Sequence, residues 1–390
     1  MKLAKKIEEV TPAVLAFRHY IHENAELAMQ EFKATARIME ELSKLPNIEA
    51  RDLKPGVVAM LKGGKPGKTL ALRADMDALT LPEDSGLPFA CKSGKASHSC
   101  GHDMHASILL GCAMALSSMA DEISGVIKFF FQPAEETLSG ARHLIDNGCM
   151  ENPKVDAIFA LHSWPYSSVG AIALRKGVCM ASADSVDIKV KGRAGHAAYP
   201  HNSLDAVVMA AHVVTALQSI VSREIDPLKS AVLTLGQISG GRARNIIADE
   251  VNMSGTVRTL SKEVRDEFSA RMQRVIKHTA EAFGGEAELD YKLGVPPVFN
   301  DEALVDLLAE SAAEAIGQEN VQNLKAPAMG GEDFAFYLEH APGVFFRLGT
   351  ANEDDPKSKL PTHNPKVIFD ERALPVGMKV MCRAALNFLK

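Results

Sequence analysis

The segment Cys100-Gly101-His102-Asp103-Met104-His105 sets a thiol, two imidazoles and a carboxylate within six residues. Thiolate and imidazole are donors that a borderline-soft divalent cation selects, and carboxylate completes a mixed N/O/S set. The segment reads as half of a metal site. Two other readings stay open at this point. One is a Cys/His nucleophilic pair. The other is a buried cysteine ahead of a core helix, with Asp103 capping the apolar run Ile108-Leu109-Leu110-Gly111-Cys112-Ala113.

Partners for that segment must come from elsewhere in the chain. The runs 57–61, 69–74, 126–131 and 157–161 are short and apolar and alternate with helical patterns or glycine-rich turns. That alternation predicts an α/β sheet covered on both faces. Ligands of such sheets gather beyond the carboxyl ends of the strands. There the sequence supplies Asp75 and Asp77, then Glu135 and Glu136, then His162. Each alone fits a helix cap or a turn acid; three strands delivering acid or imidazole at one end favour a site. A later apolar run, 344–349, leads through a polar loop to His363, framed by Pro361 and Pro365.

The first 45 residues carry a helical period, with Ile7, Val10, Val14, Phe17 and Ile21 at three- and four-residue steps. His19, His22 and Glu26 are expected on its solvated face. Between the sheet strands and the last run, residues 180–293 read β-α-β-β-α-β, a split βαβ sandwich inserted into the larger domain. The expected organisation is therefore a catalytic domain in two pieces, 1–179 and 294–390, around an inserted domain at 180–293.

With 390 residues, 46% of them hydrophobic, the chain exceeds one ordinary core, and a formal net charge of -6 leaves no footprint for nucleic acid or an anionic membrane. The six cysteines lack framework spacing, and the charged N-terminus lacks the apolar run of a signal peptide. No stretch is expected to approach a membrane-spanning length. A cytoplasmic protein acting on a small molecule is the expectation.

Five blocks together carry a resemblance. Arg73-Ala74-Asp75-Met76-Asp77-Ala78-Leu79, the Cys100–His105 segment, Gln132-Pro133-Ala134-Glu135-Glu136, Gly195-His196-Ala197-Ala198-Tyr199-Pro200-His201 and Met329-Gly330-Gly331-Glu332-Asp333-Phe334 resemble, in order, the signature blocks of the aminoacylase-type metallopeptidases. The nearest branch is that of hippurate hydrolases, N-acyl-amino-acid amidohydrolases and auxin-conjugate hydrolases. The resemblance implies a zinc-peptidase-like catalytic domain, with a mixed sheet between helices and a ferredoxin-like lid. It implies two divalent cations (Zn, Mn or Co) bridged by Cys100 and held by His102, Glu136, His162 and His363. It further implies Glu135 as general base and Asp77 as the acid that orients a ligand imidazole. His196 would be a lid histidine reaching the scissile carbonyl, and Asn245 and Arg258 would bind the substrate carboxylate. The lid often pairs subunits in that family, so a homodimer is implied. Thr80 and Ala194 depart from the branch, which usually has Pro and Gly there.

The implied reaction is hydrolysis of an N-acyl or N-aroyl amino acid to a carboxylic acid and a free amino acid. A small-dipeptide peptidase or carboxypeptidase would use the same site. The rivals of another class are a metal-free thiol hydrolase and a non-catalytic metal-binding protein.

Overall fold

The computed structural model describes residues 2–390, which form two compact units. One holds the chain up to Cys179 with Phe299–Ala326 and Asp333–Lys390; the other holds Met180–Val298 and Pro327–Glu332.

The first unit opens with α1 (Lys2–Glu23), α2 (Phe32–Ser43), β1 (Ile48–Asp52), β2 (Val57–Lys62) and β3 (Lys65–Asp75). There follow α3 (His102–Ser117), β4 (Ser124–Gln132), α4 (Gly140–Asp146), β5 (Ala157–Ser168), β6 (Ile172–Leu174) and β7 (Gly177–Met180). The second unit contributes β8 (Ala183–Lys191), β9 (Gly195–His196), α5 (Ala206–Ser219), β10 (Ala231–Gly240), β11 (Ile246–Ile247), β12 (Glu250–Thr259), α6 (Lys262–Ala282) and β13 (Glu286–Val295). The chain then runs through β14 (Val298–Asn300), α7 (Glu302–Ile316), β15 (Val321–Asn323), β16 (Gly343–Ala351) and α8 (Ala373–Phe388).

Eight strands of the first unit form one mixed sheet in the order β1-β2-β4-β3-β5-β16-β6-β15. Its centre, β4-β3-β5-β16, is parallel. These strands have the continuous apolar runs, because a parallel strand covered on both faces cannot alternate; all nine residues of β16 are buried. Residues of α1, α3 and α8, among them Phe17, Leu109 and Met378, join the strands in one core. α3 is apolar nearly all round, with only Met114 of its 16 residues not fully buried, as a helix enclosed by its neighbours must be.

The N-terminal segment differs from its sequence reading. Instead of one helical stretch there are two helices, because Glu26 turns back to accept from the amides of Lys33 (2.8 Å) and Ala34 (3.0 Å) and so caps α2. His22 is not solvated. It is 4% exposed, with Nδ1 2.8 Å from Asp103 and Nε2 2.9 Å from Glu83. Arg18 donates to the same Asp103 oxygen at 2.9 Å, so Asp103 serves an ion-pair network and does not cap α3.

Burial alone would depress the His22 imidazole, but Asp103 and then Glu83 override it and raise it to about 9. A raised folded-state value contributes stability in full below the unfolded value of 6.5 and loses it as pH rises through about 9. The difference corresponds to roughly 3 kcal/mol. Thermal denaturation from pH 6 to 10 is therefore expected to show the wild type losing stability more steeply than His22→Asn above pH 7. Parallel profiles would contradict a charged His22.

In the second unit β10-β12-β8-β13 form an antiparallel sheet. Alternate residues Val186, Ile188 and Val190 of β8 meet Met209, Val213 and Leu217 of α5 and Phe268, Met272 and Ile276 of α6. α5 starts at Ala206, where the Asp205 carboxylate accepts from the amides of Val207 and Val208. One helical stretch, Ala206–Glu224, has the length and, at a mean hydropathy of 1.4, the composition to cross a membrane, contrary to the sequence expectation. Its apolar character is accounted for in part by the sandwich core, which takes Ala206, Met209, Ala210, Val213, Leu217 and Ile220.

Candidate metal centre

β3 delivers the first component. Beyond its last residue, Asp77 lies buried with Oδ1 3.0 Å from His102 Nδ1, and its Oδ2 accepts from the Glu136 amide at 2.9 Å. With Nδ1 held, His102 presents Nε2 to the site, the tautomer that a carboxylate enforces on a ligand imidazole. His102 opens α3 directly after Gly101, whose φ is +89°. A Cβ on Gly101 would also lie 2.6 Å from Ser163 Oγ, so only glycine lets the start of α3 approach β5 this closely.

The Glu135-Glu136 pair follows β4 in a turn; α4 begins only at Gly140. Ala134 and Leu138 both take the left-handed backbone, φ +54° and +55°. The turn brings Glu136 Oε1 to 3.9 Å and Glu135 Oε2 to 4.0 Å from His102 Nε2. His162 lies within β5, not beyond it, because pairing with β16 continues through Trp164. Its Nδ1 donates to the Ser163 carbonyl at 2.8 Å, and its Nε2 lies 3.5 Å from Cys100 Sγ. His363 is half-exposed, in the left-handed region at φ +65°, its amide donating to Ser99 O at 2.9 Å and its Nε2 3.4 Å from Glu136 Oε1.

The structure therefore brings together all five ligands implied by the resemblance. The donor atoms of Cys100, His102 and His162 lie within 4.8 Å of one another, as do those of Cys100, Glu136 and His363, and those of His102, Glu135 and Glu136. A cation suits this set. One buried atom aimed into it, His102 Nε2, has no hydrogen-bond partner among the described residues, a state that is costly unless something else satisfies it. The mixed N/O/S donors suit a divalent transition-metal cation.

Charge in the site does not favour the thiol-nucleophile reading. Burial pushes the Cys100 thiol up to about 12 against the pull of the His102 charge. Burial, and then the neighbouring His105 and Arg347, push His162 well below its usual value. The proton between these two groups stays on sulfur, the reverse of an activated Cys/His pair. Burial alone would depress His102, but Asp75 leads the groups that raise it. Burial would raise Glu136, yet the His363 hydrogen bond and the His102 charge hold it below the usual carboxylate range.

Sequence reading missed the buried chain behind His162. Arg73 Nη1 donates to Asp75 at 2.7 Å, Asp75 Oδ1 lies 2.5 Å from His105 Nδ1, and His105 Nε2 accepts from the Ser163 amide at 2.7 Å. Ser163 in turn offers its carbonyl to His162, so His105 orients a candidate ligand through one backbone unit. Both nitrogens of His105 are thereby engaged. Its signal in the sequence was its place three residues after His102, one turn along a helix and hence on the same side. His105→Gln is expected to lower metal affinity about 10–100-fold. Competitive metal titration measures it, and wild-type affinity would remove His105 from the account.

Three further residues lie on the second unit. His196 is exposed on β9, opposite Ile246 of β11, and its Nδ1 accepts from the Ala198 amide at 3.1 Å. Asn245, just before β11, is exposed and accepts from the Ala197 amide at 3.1 Å, which makes it a neighbour of His196. Arg258 is half-buried on β12, close to Gly331.

Comparison with known proteins extends these observations. The family model for Peptidase family M20/M25/M40 matches residues 71–387. An N-acetyl-L-cysteine deacetylase of Bacillus subtilis is 40% identical over 363 residues, covering 93% of this chain and 84% of that protein. A hippurate hydrolase of Campylobacter jejuni is 35% identical over 391 residues and covers 100% of both chains. The crystal structure of a dinuclear metal-binding M20 peptidase from Bacillus subtilis matches with a TM-score of 0.85 at 34% identity, covering 98% of this chain and 99% of that one.

Proposed function

Because the chain belongs to Peptidase family M20/M25/M40, we propose that its metal-dependent amide hydrolysis acts on N-acyl or N-aroyl amino acids and releases a carboxylic acid and a free amino acid. The observation that carries this reading is the pair Glu135 and Glu136, two adjacent carboxylates turned toward one Cys/His donor cluster from a turn pinned at its amides. A structural metal site would have no use for the second acid. The relatives named as a deacetylase and a hippurate hydrolase support the acyl-amino-acid substrate class.

In this reading Cys100, His102, Glu136, His162 and His363 would hold two divalent cations. Such a pair, when bound, supplies Lewis acidity that polarises an amide carbonyl and acidifies water. The remaining work belongs to the chain. Glu135 takes the proton of the attacking water and returns it to the leaving nitrogen. Asp77 keeps His102 in the tautomer that offers Nε2. His196 donates to the carbonyl oxygen as negative charge develops there. Asn245 and Arg258 bind the carboxylate of the amino acid, for which the arginine fork is suited. The proposal extends to a homodimer formed through the sandwich unit, checked by light scattering, and to a reducing cytoplasm, with which six free cysteines agree.

Amine release from acetyl-, benzoyl- and longer-acyl amino acids, with free dipeptides as the competing class, tests the reading. Turnover of at least one acyl amino acid above every dipeptide is expected. Preference for dipeptides would make the protein a peptidase on the same site, and cleavage of neither would leave the proposal without support.

A further inference from the structure

Glu31 breaks a local rule. It stands at the N-cap of α2, where a carboxylate ordinarily turns onto its own helix, yet its side chain makes no capping bond and Glu26 does that work instead. The Glu31 side chain is fully buried, and Oε1 accepts from the amide of Ala134, 103 residues further along, at 2.8 Å. Its backbone is tied down as well, since the Glu31 carbonyl accepts from Thr35 Oγ1, which itself accepts from the Gly56 amide. Burying an acid without need is costly, and departures from local preference gather where function requires them.

The receiving end is the turn that carries Glu135. Ala134 is held at φ +54°, and its carbonyl accepts from the amides of Ser139 and Gly140. On the other side of Glu135, the amide of Glu136 donates to Asp77 at 2.9 Å. The amides immediately before and after Glu135 are thus each gripped by a buried carboxyl group, one from the loop ahead of α2 and one from the end of β3.

We propose that Glu31 is a positioning residue: its carboxyl, opposite Asp77, clamps the Ala134–Leu138 turn and so fixes the direction in which Glu135 meets the donor cluster. This rests on the reading of Glu135 as general base. Burial pushes Glu31 up to about 8, against the backbone hydrogen bonds and with the Asp77 charge adding to the rise, so a neutral acid occupies the position near pH 7. Glutamine copies that neutral acid in shape and keeps the accepting oxygen. Leucine keeps the volume and loses the acceptor.

Glu31→Gln and Glu31→Leu are compared by hydrogen exchange of the 134–138 amides, by metal content, and by kcat and KM on the best acyl amino acid. Glu31→Gln is expected to match the wild type in all three. Glu31→Leu is expected to exchange faster at 134–138 and to lose about 10–100-fold in kcat, the scale of a misplaced catalytic group, with KM and metal content retained. Should the leucine variant fail to fold, Glu31→Asp, which withdraws the carboxyl by one methylene, gives the same contrast. Unchanged exchange and kcat in the leucine or aspartate variant would overturn the proposal. So would a glutamine variant as impaired as leucine, or metal lost in step with activity. If the wild type cleaves no acyl amino acid, the substrate reading fails while the exchange contrast still decides whether Glu31 holds the turn.

Discussion

Glu135→Gln is expected to bind metal as the wild type does and to turn over about 10²–10⁴-fold more slowly, the usual contribution of a positioned proton-transfer group. Glutamine fills the same nearly enclosed volume, since Glu135 is 6% exposed. It cannot take a proton from water at neutral pH. Glu136 keeps its place because its amide is fixed by Asp77 and its carboxylate faces His102 and His363. Metal content and kcat measured on one preparation separate the two acids. Turnover within tenfold of the wild type would end the assignment of Glu135 as base.

Cys100→Ala has the second large effect. The thiol belongs to both donor triads, with His102 and His162 on one side and Glu136 and His363 on the other. Its removal takes a ligand from each. Loss of an outer hydrogen-bond partner alone lowers metal affinity about 10–100-fold, so loss of a shared ligand is expected to exceed that, with occupancy falling below two cations per chain. A Cys100 nucleophile predicts the opposite pattern, in which activity vanishes while bound metal, if any, is unchanged.

What the sequence could and could not reveal follows from the range of each interaction. The central strands were legible because a strand buried on both faces must be apolar throughout, and their carboxyl ends pointed to Asp77 and Glu135-Glu136. The sandwich was legible from the alternation in β8 and the stripes of α5 and α6. His22 and Glu31 were not. Periodicity reports which face of a helix a residue occupies, not what lies opposite, and their partners Asp103 and Ala134 are 81 and 103 residues away. The two-helix start escaped for a similar reason, since the Glu26 cap forms only when the chain reverses after α1. His162 was read as lying just beyond its strand because the strand's true end, at Ser168, depends on pairing with β16. His105 and Ser163 act through a backbone carbonyl, which carries no sequence signature.

The central claim is that the Cys100-centred cluster holds the cations on which hydrolysis depends. Its most direct test strips the protein with a chelator, returns Zn, Mn or Co in measured steps, and follows amine release from an N-acyl amino acid against metal bound per chain. The account predicts no turnover in the stripped protein and recovery that completes near two cations per chain. Full activity in the stripped protein would contradict it.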